Sequence, residues 1–534
     1  MDQEIDLPLD SETKAEAAAI ETQQFRSQVG HISRQSGIFF AGTLFTAALG
    51  YVFKVYLARV LGPEALGVYA LGITLIGFVG IFNTLGLNQS AVRFVPLYCA
   101  AGKFDDLHSF LWRGGFILLA ANIGVAAILL IGGPFVAARF YHSAELAHFL
   151  PLFVLLMLPS VLTNFYGKVL AGYKDLGRRT LIVSFIGSPL VMLATVVLVA
   201  LGMGLRGYLI AQIFSGLVVL ALLLAAVREL TPAAARFSAS SARPLEPAVW
   251  SLSSAMLGLA LMEFFASQVD RIALGFYSGA RAVGIYSVAA AMVAYVSIVL
   301  HSVNQIFSAT ISDLHTRGDH ALLARLFQSL TKWVVGLTLP VASVLIIFAR
   351  PIMRIFGSDF EAGWPILVIG TFGQLVNCGV GSVGYLLLMS GNQKRLLKVQ
   401  AVMAVVMVAL NIALVPGWGL MGAAVAAAIT NAGTNAWNLI EVRRALGLSP
   451  YNRSYVRLLP PAIAMLGATA LLKRNSGIFH HDWLAVGATG VAAYLVFGAV
   501  ALAFGLDDDD RLIAHAIWSR ISGAFPRMPT KVEP

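Results

Sequence analysis

Charge is what this sequence has least of: 12% of its 534 residues are Asp, Glu, Lys or Arg, whereas 58% are hydrophobic. A soluble domain carries charge on about a quarter of its residues. A chain this poor in charge cannot cover its surface with polar groups, and its mean hydropathy of +0.79 says the same. That surface must face lipid. Cysteine is scarce as well: Cys99 and Cys378 lie far apart and form no metal or redox pattern. The short alternating segments of a β-barrel are missing too. A net charge of +10 invites a nucleic-acid reading. The basic residues, however, are scattered in short loops between apolar segments, which is the pattern of membrane topology. No nucleic-acid partner is expected.

What the chain does have is length of apolar run. Segments such as 181–201 and 207–227 reach the roughly 20 residues that cross a hydrocarbon core at about 1.5 Å per residue. The pattern predicts an all-α integral membrane protein with about fourteen transmembrane helices, near 36–60, 66–88, 110–137, 148–171, 179–201, 206–228, 246–277, 283–309, 325–349, 363–389, 394–415, 419–441, 456–473 and 482–505. With the N-terminus inside, the cytoplasmic side collects 27 of the 37 Lys and Arg residues and the other side 10. This bias orients the chain with both termini cytoplasmic. The first 35 residues are polar and acidic, without the basic start and early apolar run of a cleavable signal. The first helix is therefore expected to stay in the mature chain. At the other end, Asp507–Asp510 precede an apolar helical pattern containing Ile513, Ile517 and Trp518. That suits either an interfacial helix or a solvated tail.

The chain also repeats itself. Gly62-Pro-Glu-Ala65-Leu66-Gly67-Val68-Tyr69 matches Gly279-Ala-Arg-Ala282-Val283-Gly284-Ile285-Tyr286, an offset of 217. Ala101-Gly102-Lys103 aligns with Arg317-Gly318-Asp319, an offset of 216, and Gly202–Gly207 with Gly417–Gly422, an offset of 215. Helices 1–6 therefore repeat as helices 7–12. Because six is even, both copies enter from the same side, giving parallel halves of the kind from which secondary transporters are built. The expected organisation is a polar tail at 1–35, six-helix halves at 36–240 and 241–445, two further helices at 446–505 and a tail at 506–534. Both Gly202–Gly207 and Gly417–Gly422 spell G-x-G-x-x-G, but each copy links two membrane helices rather than a strand and a helix. They read as tight turns, and no cofactor is expected.

Charges inside the spans are costly and mark candidate sites. Lys54 and Arg271 are equivalent under the 217 offset, so each half carries one cation at the same depth. Two readings fit them: a shared site for a diphosphate or acidic sugar, or snorkelling to the interface. Arg59, nearer the surface, reads as snorkelling. Lys168 and Lys332 near the cytoplasmic ends of helices 4 and 9 offer the same choice between snorkelling and capture of a lipid diphosphate. Glu263 and Asp270, seven residues apart, share one face of helix 7. They suit H⁺ or Na⁺ coupling, or an ion pair such as Asp270 with Arg271. Asn304, Asn377, Asn411, Asn431 and Asn435 fit sugar binding or polar helix–helix contacts. No catalytic His/Asp or metal-ligand cluster is present in the sequence, and outer loops are short. A transporter is expected rather than a membrane glycosyltransferase, ligase or polymerase.

The run Ala58–Tyr69 (ARVLGPEALGVY) resembles the first-loop signature of the polysaccharide-biosynthesis flippases of Wzx type, in the MOP exporter superfamily. Asp270-Arg271 before Gly279–Tyr286 resembles its second-half counterpart, and Ala349–Gly357 and Gly384–Gln393 extend the likeness over roughly residues 36–445. The resemblance implies two six-helix bundles around a cavity open alternately to each side of a bacterial inner membrane. It implies as substrate an oligosaccharide on undecaprenyl diphosphate, with membrane lipids and glycan polymerases or glycosyltransferases as partners. Many such flippases have twelve helices; lipid II flippases of the same superfamily have fourteen. A cation-coupled drug efflux carrier of that superfamily is the nearest rival.

Overall fold

A backbone in lipid has no water to satisfy its N–H and C=O groups, so apolar segments of this length fold as helices. The computed structural model describes residues 11–236, 244–475 and 482–504, and among them there are helices and turns but no strand. Asp507–Asp510 and the pattern behind them lie outside the described residues. Eleven described helices are long and apolar enough to cross a membrane: Leu49–Thr84, Phe104–Phe140, Ala144–Gly172, Leu176–Ala200, Gly204–Leu230, Pro247–Asn304, His320–Ile347, Ser358–Val380, Gln393–Leu446, Arg453–Arg474 and Asp482–Ala503. Their apolar side chains also point outward: Ile131 is 84% exposed and Ile128 68%. In water such exposure would drive aggregation; in lipid it is the natural boundary.

Three helices, Ser11–Thr84, Pro247–Ala294 and Gln393–Leu446, are each interrupted by a single glycine. Gly62 has φ 75° and ψ 174°, and its repeat mate Gly279 has φ 78° and ψ 178°. Gly419 breaks the third at φ 49°, and its mate Gly204 has φ 50°. Where hydropathy suggests a loop between spans, the chain turns on one residue. Only glycine takes such angles without strain against a Cβ.

The middle repeat is matched bond for bond. Gly102 and Gly318 are left-handed, and Lys103 N–H to Tyr98 O and Asp319 N–H to Leu314 O are both 3.0 Å. A fourth pair was hidden from sequence comparison. Asp175 N–H donates to Leu170 O at 3.1 Å and Asn392 N–H to Leu387 O at 2.9 Å, every position offset by 217. The left-handed residue is Gly391 in the second copy but Lys174 in the first, at φ 62°.

The chain divides into two compact units. One comprises Met1–Lys54, Leu75–Phe135 and Ala147–Leu261; the other comprises Val55–Thr74, Val136–Leu146 and Met262–Pro534. Within the first, Tyr98, Phe110 and Phe165 stack in series at centroid separations of 6.4 and 5.9 Å. Gly86 admits the Ser253 backbone, and Ser90 Oγ meets Ser253 Oγ at 2.8 Å. Within the second, Phe307, Phe327, Leu386 and Leu396 anchor a buried apolar cluster. In the same unit two helix starts meet reciprocally. A Cβ on Gly67 would fall 1.7 Å from Ala280 O, and one on Gly284 would fall 1.8 Å from Pro63 O. Residues 63 and 280, and 67 and 284, are equivalent under the 217 offset, so this joint is symmetric.

Candidate functional site

The second unit holds a polar cluster in an otherwise apolar setting. Asp270 is 8% exposed and Tyr286 3%. The Tyr286 hydroxyl donates to Asp270 Oδ2, and the Arg271 backbone N–H donates to Asp270 Oδ1 at 2.8 Å. The Arg271 guanidinium donates to Gln268 Oε1, which also accepts from Thr74 Oγ1 at 3.4 Å. A carboxylate in a membrane helix is held by a phenol from beyond the Gly279 break and by its own backbone. The guanidinium beside it is turned away to Gln268, so the two adjacent charges do not close a salt bridge on each other. Such a group is buried, and hydrogen bonds to both of its oxygens offset part of the cost of that burial.

Other sequence-chosen residues are dispersed. Glu263, on the same helix, is exposed while Asp270 is buried. Lys54 is exposed and belongs to the first unit, Arg271 to the second. Lys332 is buried at 6% exposure, and Lys168 is half-buried. Arg59 Nε donates to Ile355 O at 2.8 Å, closing off the short helix Ala349–Ile355. The asparagines make helix contacts: Asn431 Nδ2 donates to Gly373 O at 3.3 Å, Asn435 Nδ2 to Asn431 O at 2.9 Å, Asn411 Nδ2 to Met407 O at 2.9 Å and Asn377 Nδ2 to Gln374 Oε1 at 3.0 Å. Asn304 is buried with an unsatisfied Oδ1.

Sequence reasoning missed Tyr286, Gln268 and Thr74 as partners. Tyr286 stood in the repeat as the mate of Tyr69, but its use depends on Asp270, whose mate is Phe53. It missed too a cavity of about 560 Å³ in the first unit, with Trp112, Phe116, Leu162 and Leu224 along its sides and His108, Arg228 and Arg236 among its polar lining. Close to these helix ends, the Tyr173 hydroxyl shares a 3.1 Å hydrogen bond with Thr231 Oγ1. Burial pushes that phenol up to about 12, so it stays protonated and can act as donor. Among the described residues no group of three or more His, Cys, Asp and Glu side chains is placed to hold a metal ion.

The comparisons with known proteins agree on family and fold. A succinoglycan biosynthesis transport protein, ExoT of Rhizobium meliloti (strain 1021), is 26% identical over 328 residues, 60% of this chain and 62% of that protein's length. Among solved structures, lipid II flippase MurJ in an inward closed conformation superposes with a TM-score of 0.68 at 17% identity, covering 91% of this chain and 99% of that one. An inward-facing MATE-family multidrug resistance transporter of the MOP superfamily reaches 0.56 at 15% identity, over 76% and 94%. These two likenesses show the fold that the chain shares with both transporters. The sequence profile of the polysaccharide biosynthesis proteins matches residues 56–362, more than half of the chain, and takes in the breaks at Gly62 and Gly279; the chain belongs to that family.

Proposed function

We propose that this multi-pass membrane protein is a flippase that carries a lipid-linked oligosaccharide, on a polyprenyl diphosphate carrier, from the cytoplasmic to the periplasmic leaflet of a bacterial inner membrane. The observation that carries the reading is the family match across residues 56–362. Its likeness to a succinoglycan biosynthesis transport protein and a fold shared with a lipid II flippase support it. Each of the three glycine-broken helices is taken as two crossings, which makes fourteen, with parallel six-helix halves at 36–240 and 241–445 and both termini in the cytoplasm. Lys54 and Arg271 are the proposed head-group cations. Their equivalence under the repeat supports this, as does the cost of holding cations in a bilayer. Asp270 is the proposed coupling carboxylate, for H⁺ or Na⁺, because it is the buried one; Glu263 is the exposed alternative on the same helix.

The test is leaflet-resolved transport of a labelled lipid-linked oligosaccharide by the purified chain in proteoliposomes, with and without pH and Na⁺ gradients. Movement of the lipid-linked sugar that depends on the protein supports the proposal. Extrusion of cationic dyes without lipid movement would favour the efflux reading, which the MATE-like fold also accommodates.

A further inference from the structure

Arg178 and Arg179 are neighbours with opposite surroundings. Arg178 is paired with two carboxylates: its Nε lies 3.3 Å from Asp175 Oδ2 and its Nη1 2.9 Å from Glu229 Oε2. Arg179 turns the other way, across the preceding membrane helix. A Cβ on Gly167 would sit 3.2 Å from Arg179 Nε, and that nitrogen is buried without a hydrogen-bond partner. The next residue, Lys168, is half-buried and close enough for the two positive charges to repel. The two carboxylates nearby in sequence and space, Asp175 and Glu229, are already held by Arg178. Among the described residues neither Arg179 nor Lys168 has an acidic partner.

Packing does not call for this arrangement, because the second half makes the same joint without charge. Under the 217 offset Gly167 corresponds to Gly384 and Arg179 to Leu396, and a Cβ on Gly384 would meet Leu396 Cδ1 at 4.0 Å. Leu396 is 9% exposed inside an apolar cluster, and Tyr385 stands where the first half has Lys168. The arginine beside the joint is ion-paired in both halves, although by carboxylates from different repeat positions: Arg395 Nη1 lies 2.9 Å from Glu441 Oε2, and Arg178 Nη1 2.9 Å from Glu229 Oε2. One half therefore replaces a leucine and a tyrosine with two cations and leaves them unneutralised, although a buried unpaired donor costs stability.

We infer that Lys168 and Arg179 form an anion site that binds the diphosphate of the lipid carrier. The ligand's identity rests on the flippase reading. A planar guanidinium and a flexible ammonium together suit a group with two or more negative charges and many acceptor oxygens, whereas a single carboxylate would leave one cation unpaired. Lys168 lies four residues before the helix end at Gly172, roughly 6 Å along the axis. That depth suits a phosphate group whose prenyl tail stays in the bilayer.

The test titrates the purified chain in phosphatidylcholine nanodiscs with farnesyl diphosphate. Wild type should bind, and Arg179→Leu, which copies the second half, should keep the unfolding temperature and weaken binding at least tenfold. Lys168→Gln should do the same, and the double variant should be little weaker than either single. Arg179→Lys, which keeps the charge, should bind with an intermediate loss and serves if the leucine variant fails to fold. Unchanged binding in Arg179→Leu would overturn the inference, as would absence of binding in wild type. Displacement of farnesyl diphosphate by an equal amount of phosphatidylglycerol would also overturn it, since the site would then be a general anionic-lipid surface. Arg179-dependent binding without transport of lipid-linked oligosaccharide would remove the flippase reading and leave the site standing.

Discussion

At the scale of single residues the molecule mostly uses glycine where φ is positive; among the described residues Leu85, His142 and Lys174 depart from this, and Lys174 has a glycine as its repeat mate. A non-glycine residue at φ 62° gives up about 1–2 kcal/mol, whereas glycine loses roughly 0.5–1 kcal/mol of chain entropy on folding. The difference predicts that Lys174→Gly, matching Gly391, raises stability slightly, by on the order of 0.5–1 kcal/mol. An unchanged or lowered thermal midpoint in detergent would show that Lys174 makes a compensating contact. Asp270 allows a sharper experiment. Asp270→Asn should abolish gradient-driven flipping in folded protein, and Tyr286→Phe, which removes the donor to Oδ2, should shift its pH or Na⁺ dependence. Unaltered transport with the same ion dependence in both variants would reduce the pair to a structural hydrogen bond. Asp270 was legible in the sequence because any carboxylate in an apolar run stands out. Tyr286 was not, because it reaches Asp270 from 16 residues away, beyond a helix break whose geometry hydropathy does not encode.

At the scale of elements, the reciprocal approach of Gly67 and Gly284 is the closest helix contact the repeat produces. A methyl at either site would lie within 2 Å of a carbonyl oxygen, so the helices must separate. Gly67→Ala and Gly284→Ala should each cost at least the 1–3 kcal/mol typical of overpacking. Gly258→Ala, with nothing within 4 Å of the new carbon, should be neutral and serves as control. Equal stability across the three variants would show that the joint opens without cost. The apolar runs made the spans legible, and the repeated Gly62/Gly279 and Gly204/Gly419 pairs marked where they change direction. What hydropathy could not reveal was how short those changes are, since one glycine and a six-residue loop leave the same gap between apolar segments. The fourth matched turn escaped notice because Lys174 hides its glycine, although its hydrogen bonds repeat at the same offset.

At the scale of the whole molecule, the charge bias and the three broken helices make a topology that labelling can check. Single cysteines in the 174–177, 317–320 and 446–452 loops should react from the cytoplasmic side, and those at 140–146 and 357–361 from the other. Inverted labelling, or an odd number of crossings, would remove the proposed orientation. The measurement that bears most directly on function follows a labelled oligosaccharide on a polyprenyl diphosphate in proteoliposomes containing the purified chain. Its transfer between leaflets should be faster with wild type than in protein-free liposomes. Lys54→Ala and Arg271→Ala should each slow it. Transfer no faster than in protein-free liposomes, in a preparation whose folding is intact, would contradict the account.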